Sequence, residues 1–451
     1  MTWKAINMTK LNNILIGFSL VLLITCLVFG VVAAIAFFAP NAVADVISFR
    51  QARPIHVSAA LFWIISAAAG GIIYYQKQLH PERKQNEKSI TGFGLTWMLT
   101  IVAVFVAYTF NYYGGREYWE FPPFLNLFLL IAWILLIIGL LPAIGRLKSH
   151  LPVYHWMWAT GILFFLFTFI EQNLWHIPWF RESFLKEMTV QWKSNGSMVG
   201  AWNQMIYGTA IYIMVKISGD EKLATSRRAY ASYFLGLTNL VFNWGHHIYN
   251  VPSAHWIRDV AYLISMTEWV FVISIIQGFR NKLEERAKFR HFVAYRFLVA
   301  SEFWIFLNLL LALMMSIPAI NRYTHGTHIT VAHAMGTTIG INTMILLGSI
   351  SFMTGMDNPA NNRQYSIFNL AYWLSQASLL VFWLALIVAG LTKGIRLASS
   401  PQTQFTDVMA QVYPSLKIFM YSGIGLAAGL IILAVLILRR VTTDRDNPNV
   451  K

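Results

Sequence analysis

Apolar residues in this chain gather into twelve long runs, at 11–37, 56–76, 92–112, 123–145, 153–174, 197–217, 229–250, 259–279, 297–317, 328–352, 366–392 and 416–438. Each has the length that an α-helix needs to cross the hydrocarbon core of a bilayer, about 20 residues. The polar stretches between them are short, and none is long enough for a soluble domain. The pattern therefore predicts an all-α, polytopic membrane protein, a twelve-transmembrane-helix bundle forming one integral-membrane domain over 1–451. The first run follows a short basic segment. It is long and lacks a small-residue cleavage site, so it reads as the first helix and not as a signal peptide. No repeat of the transporter kind is visible.

Composition agrees with this reading. Of the 451 residues, 57% are hydrophobic and 12% charged. The net charge of +15 is a different kind of signal. Its lysines and arginines lie in the connections and not on a folded basic domain, which excludes a nucleic-acid binder. They favour the N-terminus, the even-numbered connections and the C-terminus, with the richest connection between Arg280 and Arg296. Basic loops stay in the cytoplasm, so both termini are expected there, in the inner membrane. The single cysteine, Cys26, excludes internal disulfides and cysteine-based metal clusters. Any metal must be held by His, Met or oxygen ligands.

Ligating side chains are costly at membrane depth. The adjacent histidines His246 and His247 close the run from Ala229 to Asn250. Neighbours on a helix diverge by about 100°, so one metal between them can bind both; the plainer reading is a hydrogen-bonded pair. His56, at the start of the second run after Arg53-Pro54-Ile55, is either an interfacial histidine or an axial heme ligand, with a nearby arginine able to pair with a heme propionate. His333 and Met335 are about 200° apart on a helix; they face opposite sides and can each serve a different heme. Glu171 and His176 lie at the end of the fifth run, either as interfacial polar groups or as part of a site at the outer face. The following connection is expected to reach about Ser194. Glu268 and Glu302 read equally as proton-path members and as protonated packing residues. Tyr112, Trp97, Trp133 and their neighbours read as core and belt aromatics.

With the termini inside, His56, the His246–His247 pair and His333 with Met335 all fall at the outer ends of their helices. Convergence at one depth is what a multi-cofactor centre requires. In this order the residues resemble the heme–copper oxidase superfamily catalytic subunit, closest to the cytochrome b subunit of respiratory nitric oxide reductases. The likeness is carried by Arg53-Pro54-Ile55-His56, by His246-His247, and by Phe303-Trp304, Ile317-Pro318, Asn321, Tyr323, His325-Gly326-Thr327 and Ala332-His333.

The resemblance implies two hemes, a low-spin heme b and a high-spin heme b type, and one non-heme metal, iron or copper. His56 and Met335 would hold the first heme, His333 the second, and His246 and His247 the metal; Arg53 and His325 would lie by the propionates. The family usually has a second histidine where this chain has Met335; thioether ligation tends to raise the heme potential. Aligning Gly200-Ala201-Trp202 with the family's Gly-x-Trp puts Asn195 on the third metal histidine and Val199 on a glutamate one turn later. Carboxamide oxygen is a weaker ligand than imidazole, so the metal has Asn195 or recruits Glu171 or His176. Val199 also stands where oxygen reductases of the commonest type carry a tyrosine. The implied activity is reduction of nitric oxide, a small gaseous substrate, to nitrous oxide. A nitric oxide dismutase-like or divergent terminal oxygen reductase is the alternative within the family, and a membrane transporter with a His-lined path the alternative outside it. An electron-donating subunit with a c-type heme or copper centre is the expected partner.

Overall fold

The computed structural model describes residues 10–43, 45–81, 85–144, 151–282, 288, 290–356, 362–400 and 402–443. The described residues are almost entirely helical, with one isolated bridge between Arg116 and Trp119. The long helices are α1 (Lys10–Phe38), α2 (Phe49–Leu79), α3 (Glu87–Thr109), α4 (Leu125–Ile144), α5 (Val153–Gln172), α6 (Phe184–Ser218), α7 (Arg227–Phe242), α8 (His255–Lys282) and α9 (Phe292–Ser316). They continue with α10 (His328–Met353), α11 (Asn362–Ser399) and α12 (Phe405–Thr443). Each expected apolar run thus falls on one of these helices. Among the described residues, 8 helices are long and apolar enough to cross a membrane.

Sequential neighbours pack as hairpins: α1 with α2, α3 with α4, α5 with α6, α7 with α8, and α11 with α12, which also closes back on α1. The core is aromatic. Trp63, Trp97, Trp133, Trp158 and Trp304 are all fully buried. Each indole N–H finds an acceptor: Thr343 Oγ1 at 3.1 Å for Trp63, Ser66 Oγ at 2.8 Å for Trp97 and the Ile162 carbonyl at 2.9 Å for Trp133. Trp158 donates to Thr209 Oγ1 at 3.1 Å and Trp304 to Gln376 Oε1 at 2.9 Å. Water is absent from a bilayer interior, so a buried donor must be satisfied by protein.

Three helices depart from the expected pattern. The connection expected to reach Ser194 is largely helical, because α6 starts at Phe184 after short turns at Leu174–His176 and Pro178–Arg181. Its polar first turns read as loop, yet those polar groups are paired: Glu187 with Arg116, and Lys193 with Glu171. Helix α7 ends at Phe242, and the histidine pair sits on a following 3₁₀ turn, Asn243–Ile248. The interior of α10 is a π-helix over Gly336–Thr343, where the Thr343 hydroxyl reaches back five residues to the Thr338 carbonyl at 2.8 Å. A cause is visible on α9. A Cβ at Gly336 would lie 2.3 Å from Asn308 Oδ1, and one at Gly340 2.5 Å from Trp304. Bare backbone allows close helix approach in a membrane.

Gly340→Ala should therefore destabilise the protein by roughly 1–3 kcal/mol, whereas Gly17→Ala, whose Cβ would meet only Leu438 at an ordinary 3.6 Å, should be near neutral. Thermal inactivation of the two variants in the same detergent checks this.

Candidate active site

One cavity of about 460 Å³ is lined mainly by α6, α7 with its 3₁₀ turn, α9 and α10, with single residues from α2, α5 and α8. His246, His247, His325 and His333 all line it, as do Asn195 and Val199. Among the described residues the lining contains no Asp, Glu, Lys or Arg, so the titratable groups on the wall are imidazoles and tyrosines. Burial holds His325, in the turn before α10, below the usual imidazole range and therefore neutral near pH 7.

The rings of His246 and His247 lie 4.2 Å apart, centroid to centroid, tilted by 43°. Each is held by a different device. His246 donates from Nδ1 to Asn243 Oδ1 at 2.9 Å, and that same oxygen accepts a hydrogen bond from Ser265 on α8. This fixes the tautomer and leaves the lone pair on Nε2. His247 instead stacks on Trp192 of α6, with centroids 5.4 Å apart and planes within 12°. Gly196 lets α6 come this close: its Cβ would lie 2.9 Å from Trp244 Cβ. Elsewhere on the wall, Asn308 of α9 donates to the His333 carbonyl at 3.1 Å and to Thr337 Oγ1 at 2.8 Å. His333 Nδ1 is buried and has no hydrogen-bond partner among the described residues.

His56 and Met335 are not on this wall. His56 Nδ1 donates to the Cys26 carbonyl at 2.7 Å. Gly30, one turn on, makes room for the ring: a Cβ there would lie 2.8 Å from Nδ1. Met335 is half-buried and packs against the main core. His333 lines the cavity and Met335 does not.

Three expectations are corrected. Glu171 is occupied by Lys193 at 2.6 Å, and His176 lies against the Trp175 ring at 4.0 Å; neither lines the cavity. Among the described residues no group of three or more His, Cys, Asp or Glu is placed to hold a metal. Asn195 lines the same cavity as the histidine pair, and among the described residues no carboxylate does. Arg53 is also not free for an anion: its guanidinium is bound by Glu120 and, at 3.3 Å, by Glu117. That pairing pins the α3–α4 connection to α2, as Arg116 pins it to α6 through Glu187. Glu302 is buried, 3.7 Å from Arg280, and is absent from the cavity wall; the side chain of Glu268 lies outside the described residues.

Asn243, Ser265, Trp192, Asn308 and Gly30 carried no role in the sequence reading. Asn243 alone had a local signal, since it stands three residues before His246, the spacing of side chains on one helical face. The others act from different helices.

The family profile described as "Cytochrome C and Quinol oxidase polypeptide I" matches residues 11–425. A cytochrome c oxidase subunit 1 homolog of Agrobacterium tumefaciens (strain T37) is 22% identical over 433 residues, covering 90% of this chain and 78% of the relative. Cytochrome c oxidase subunit 1 of Rhodobacter capsulatus is 21% identical, covering 84% of this chain and 74% of the relative. A nitric oxide reductase subunit of Stutzerimonas stutzeri is also 21% identical, covering 83% of this chain and 82% of the relative. A solved heme-copper terminal oxidase dimer shares the fold, with TM-score 0.69 and 12% identity over 98% of this chain and 86% of that chain. The chain belongs to the heme–copper oxidase family, whose subunit I binds hemes and a metal centre within the membrane.

Proposed function

We propose that this protein is a respiratory oxidoreductase of the inner membrane that reduces nitric oxide to nitrous oxide. The observation that carries the reading is that His246, His247 and His333 line one neutral cavity beside Val199. Val199 offers neither an electron nor a proton. Oxygen reduction of the commonest kind draws both from a side chain at that place, whereas joining two nitric oxide molecules needs only two electrons and two protons, releasing nitrous oxide and water.

The residues fit the implied groups. His333 presents a buried ring nitrogen with no partner among the described residues, on the wall of a cavity of about 460 Å³, a size usual for small-molecule and cofactor sites. It would hold the high-spin heme. His246 and His247 would hold the non-heme metal, iron in this reading and copper in the alternative, with Asn195 as a weak oxygen donor. His56, whose Nδ1 is tied to a backbone carbonyl, presents Nε2 in the way second-shell hydrogen bonds prepare a metal-binding imidazole; with Met335 it would hold the low-spin heme. Bound there, the hemes and metal supply one-electron transfer and activation of the nitrogen oxide. The protein fixes two imidazoles, one by Asn243 and one by Trp192, and provides a wall free of fixed charge. Electrons enter at the outer face from a partner subunit with a c-type heme or copper centre; both termini lie in the cytoplasm.

A second reading, dismutation of nitric oxide or reduction of oxygen, is favoured by one observation: among the described residues no third histidine or carboxylate joins the pair. Anaerobic turnover with nitric oxide decides the matter. Nitrous oxide formed without oxygen supports the reductase, oxygen release supports dismutation, and turnover only with oxygen supports the oxidase.

Purified protein should contain two hemes and one non-heme metal per chain; a sample with no Soret band would end the heme assignment. Met335→His should shift the low-spin heme spectrum and lower its potential, measured by redox titration. Asn243→Ala, which unties His246, should weaken retention of the non-heme metal roughly 10–100-fold with heme content unchanged. Metal analysis after dialysis against chelator reads the result.

A further inference from the structure

The richest basic connection, between Arg280 and Arg296, ends in the second turn of α9. Arg296 reaches from there to α11. Its guanidinium carbon lies 4.0 Å from the centre of the Tyr372 ring, 5.3 Å from Phe292, 5.5 Å from Trp373 and 5.8 Å from Phe368. Asn369 Oδ1 accepts from it at 2.7 Å, and the Tyr372 hydroxyl donates to its backbone carbonyl at 3.1 Å. The rings of Phe292 and Tyr365 lie 5.7 Å apart, so the first turns of α9 and α11 close on each other around this cation.

Rings and an amide hold the guanidinium in place but leave its charge uncompensated. Among the described residues no carboxylate pairs with Arg296, whereas Arg53, Arg116, Lys193 and Arg280 each have one. Joining two helices does not call for a charge, and a charge without a counter-ion in a membrane is costly. The planar fork of an arginine matches the oxygens of a phosphate. Arg296 is only half-buried, and Trp373, one wall of the ring box, is exposed, so the box opens to the surface on that side. The starts of the same two helices add two further cations, Arg290 and Arg363, both exposed.

An apolar strip runs on from this charge. Phe303, Phe306 and Leu310 follow Arg296 along one face of α9, and all three are exposed. Leu370 and Trp373 of α11 are exposed as well. A fixed positive charge near the helix ends, followed by apolar surface toward the middle of the span, is the complement of an amphiphile with an anionic head.

We propose that Arg296 and its ring box form a head-group site for an anionic phospholipid, with the phosphate on the guanidinium and an acyl chain along Phe303, Phe306 and Leu310. Basic pockets between membrane helices bind such head groups. A free phosphate ion would leave the apolar strip unused. A zwitterionic lipid would bring its own ammonium toward Arg290 and Arg363. The site is independent of the reaction at the histidine cavity.

The test uses the full chain with its cofactors in phosphatidylcholine vesicles. A trace of phosphatidylglycerol with a photoactivatable group on one acyl chain is added, or the same probe with a choline head. Mass spectrometry maps the labelled peptides. The glycerol probe should label α9 around Phe303–Leu310 and α11 around Leu370–Trp373, and do so more than the choline probe. Unlabelled phosphatidylglycerol should displace it, and inorganic phosphate should not. Arg296→Gln, with helicity and elution unchanged, should lower this labelling about 5-fold. Equal labelling by the two probes, labelling spread evenly over the lipid-facing helices, or displacement by inorganic phosphate overturns the site. Wild-type labelling in Arg296→Gln overturns it too, and the wild-type measurements decide alone should that variant fail to fold.

Discussion

A polar side chain inside a membrane bundle has no bulk water to turn to, and that constraint separates the scaffold from the site. The fully buried tryptophans of the scaffold are paired within the protein. The five fully buried tryptophans all donate, several of them between helices, as Trp63 does to Thr343 and Trp304 to Gln376. The cavity wall carries several groups that are not. Trp202, Gln204, Asn239, Asn308, Asn321 and His333 all line it, and each has a buried polar atom without a partner among the described residues. Groups of that kind are destabilising in a dry interior. Buried atoms without a partner also occur away from the cavity, at Gln76, Asn126 and Trp383 among the described residues, so the histidines on the wall and not the unpaired atoms alone distinguish the site.

The same constraint explains the irregular backbone. A π-turn costs helix hydrogen-bond geometry, and such turns tend to occur at functional sites. Here it lies directly after His333 and Met335, where α9 presses Asn308 and Trp304 against two glycines. Its freed geometry is taken up by side chains, with Thr343 bonding to Thr338 and accepting from Trp63. The helix thus stays satisfied while Asn308 bonds both the His333 carbonyl and Thr337.

The twelve helices were legible in the sequence because hydrophobic runs of bilayer length have few other uses. His246, His247 and His333 were legible as cavity residues because each stands at a predictable end of its run. What escaped was whatever depends on a partner distant in sequence. Arg53 looked available for an anion, yet Glu117 and Glu120, more than 60 residues on, occupy it. Glu171 looked free to join the metal, and Lys193 holds it. The first turns of α6 looked like loop because they are polar; in the helix that polarity is paired, Glu187 with Arg116 and Lys193 with Glu171. The 3₁₀ turn under the histidine pair was hidden for another reason: no residue in Asn243–Ile248 forbids an α-helix, and the change of pitch comes from packing against α6 and α8.

The two histidines of the pair are not equivalent, and their supports suggest a division of labour. His246 is tied by a hydrogen bond that fixes its tautomer and, through Ser265, couples it to α8. His247 rests on the face of Trp192, which restrains the plane of its ring without specifying which nitrogen carries the proton. A stacked ring slides in its plane more readily than a ring tied at one nitrogen. If the pair holds a metal as proposed, His246 would be the firmer ligand and His247 the one that follows changes there. His56 resembles His246 in this respect, since a backbone carbonyl holds its Nδ1 and Gly30 closes against the ring. An electron-transfer heme works best when its ligands barely move, and a backbone acceptor is the least mobile support a chain can offer. On the proposed assignment, His56 and His246 would both be held rigidly, and His247 alone would be held by stacking.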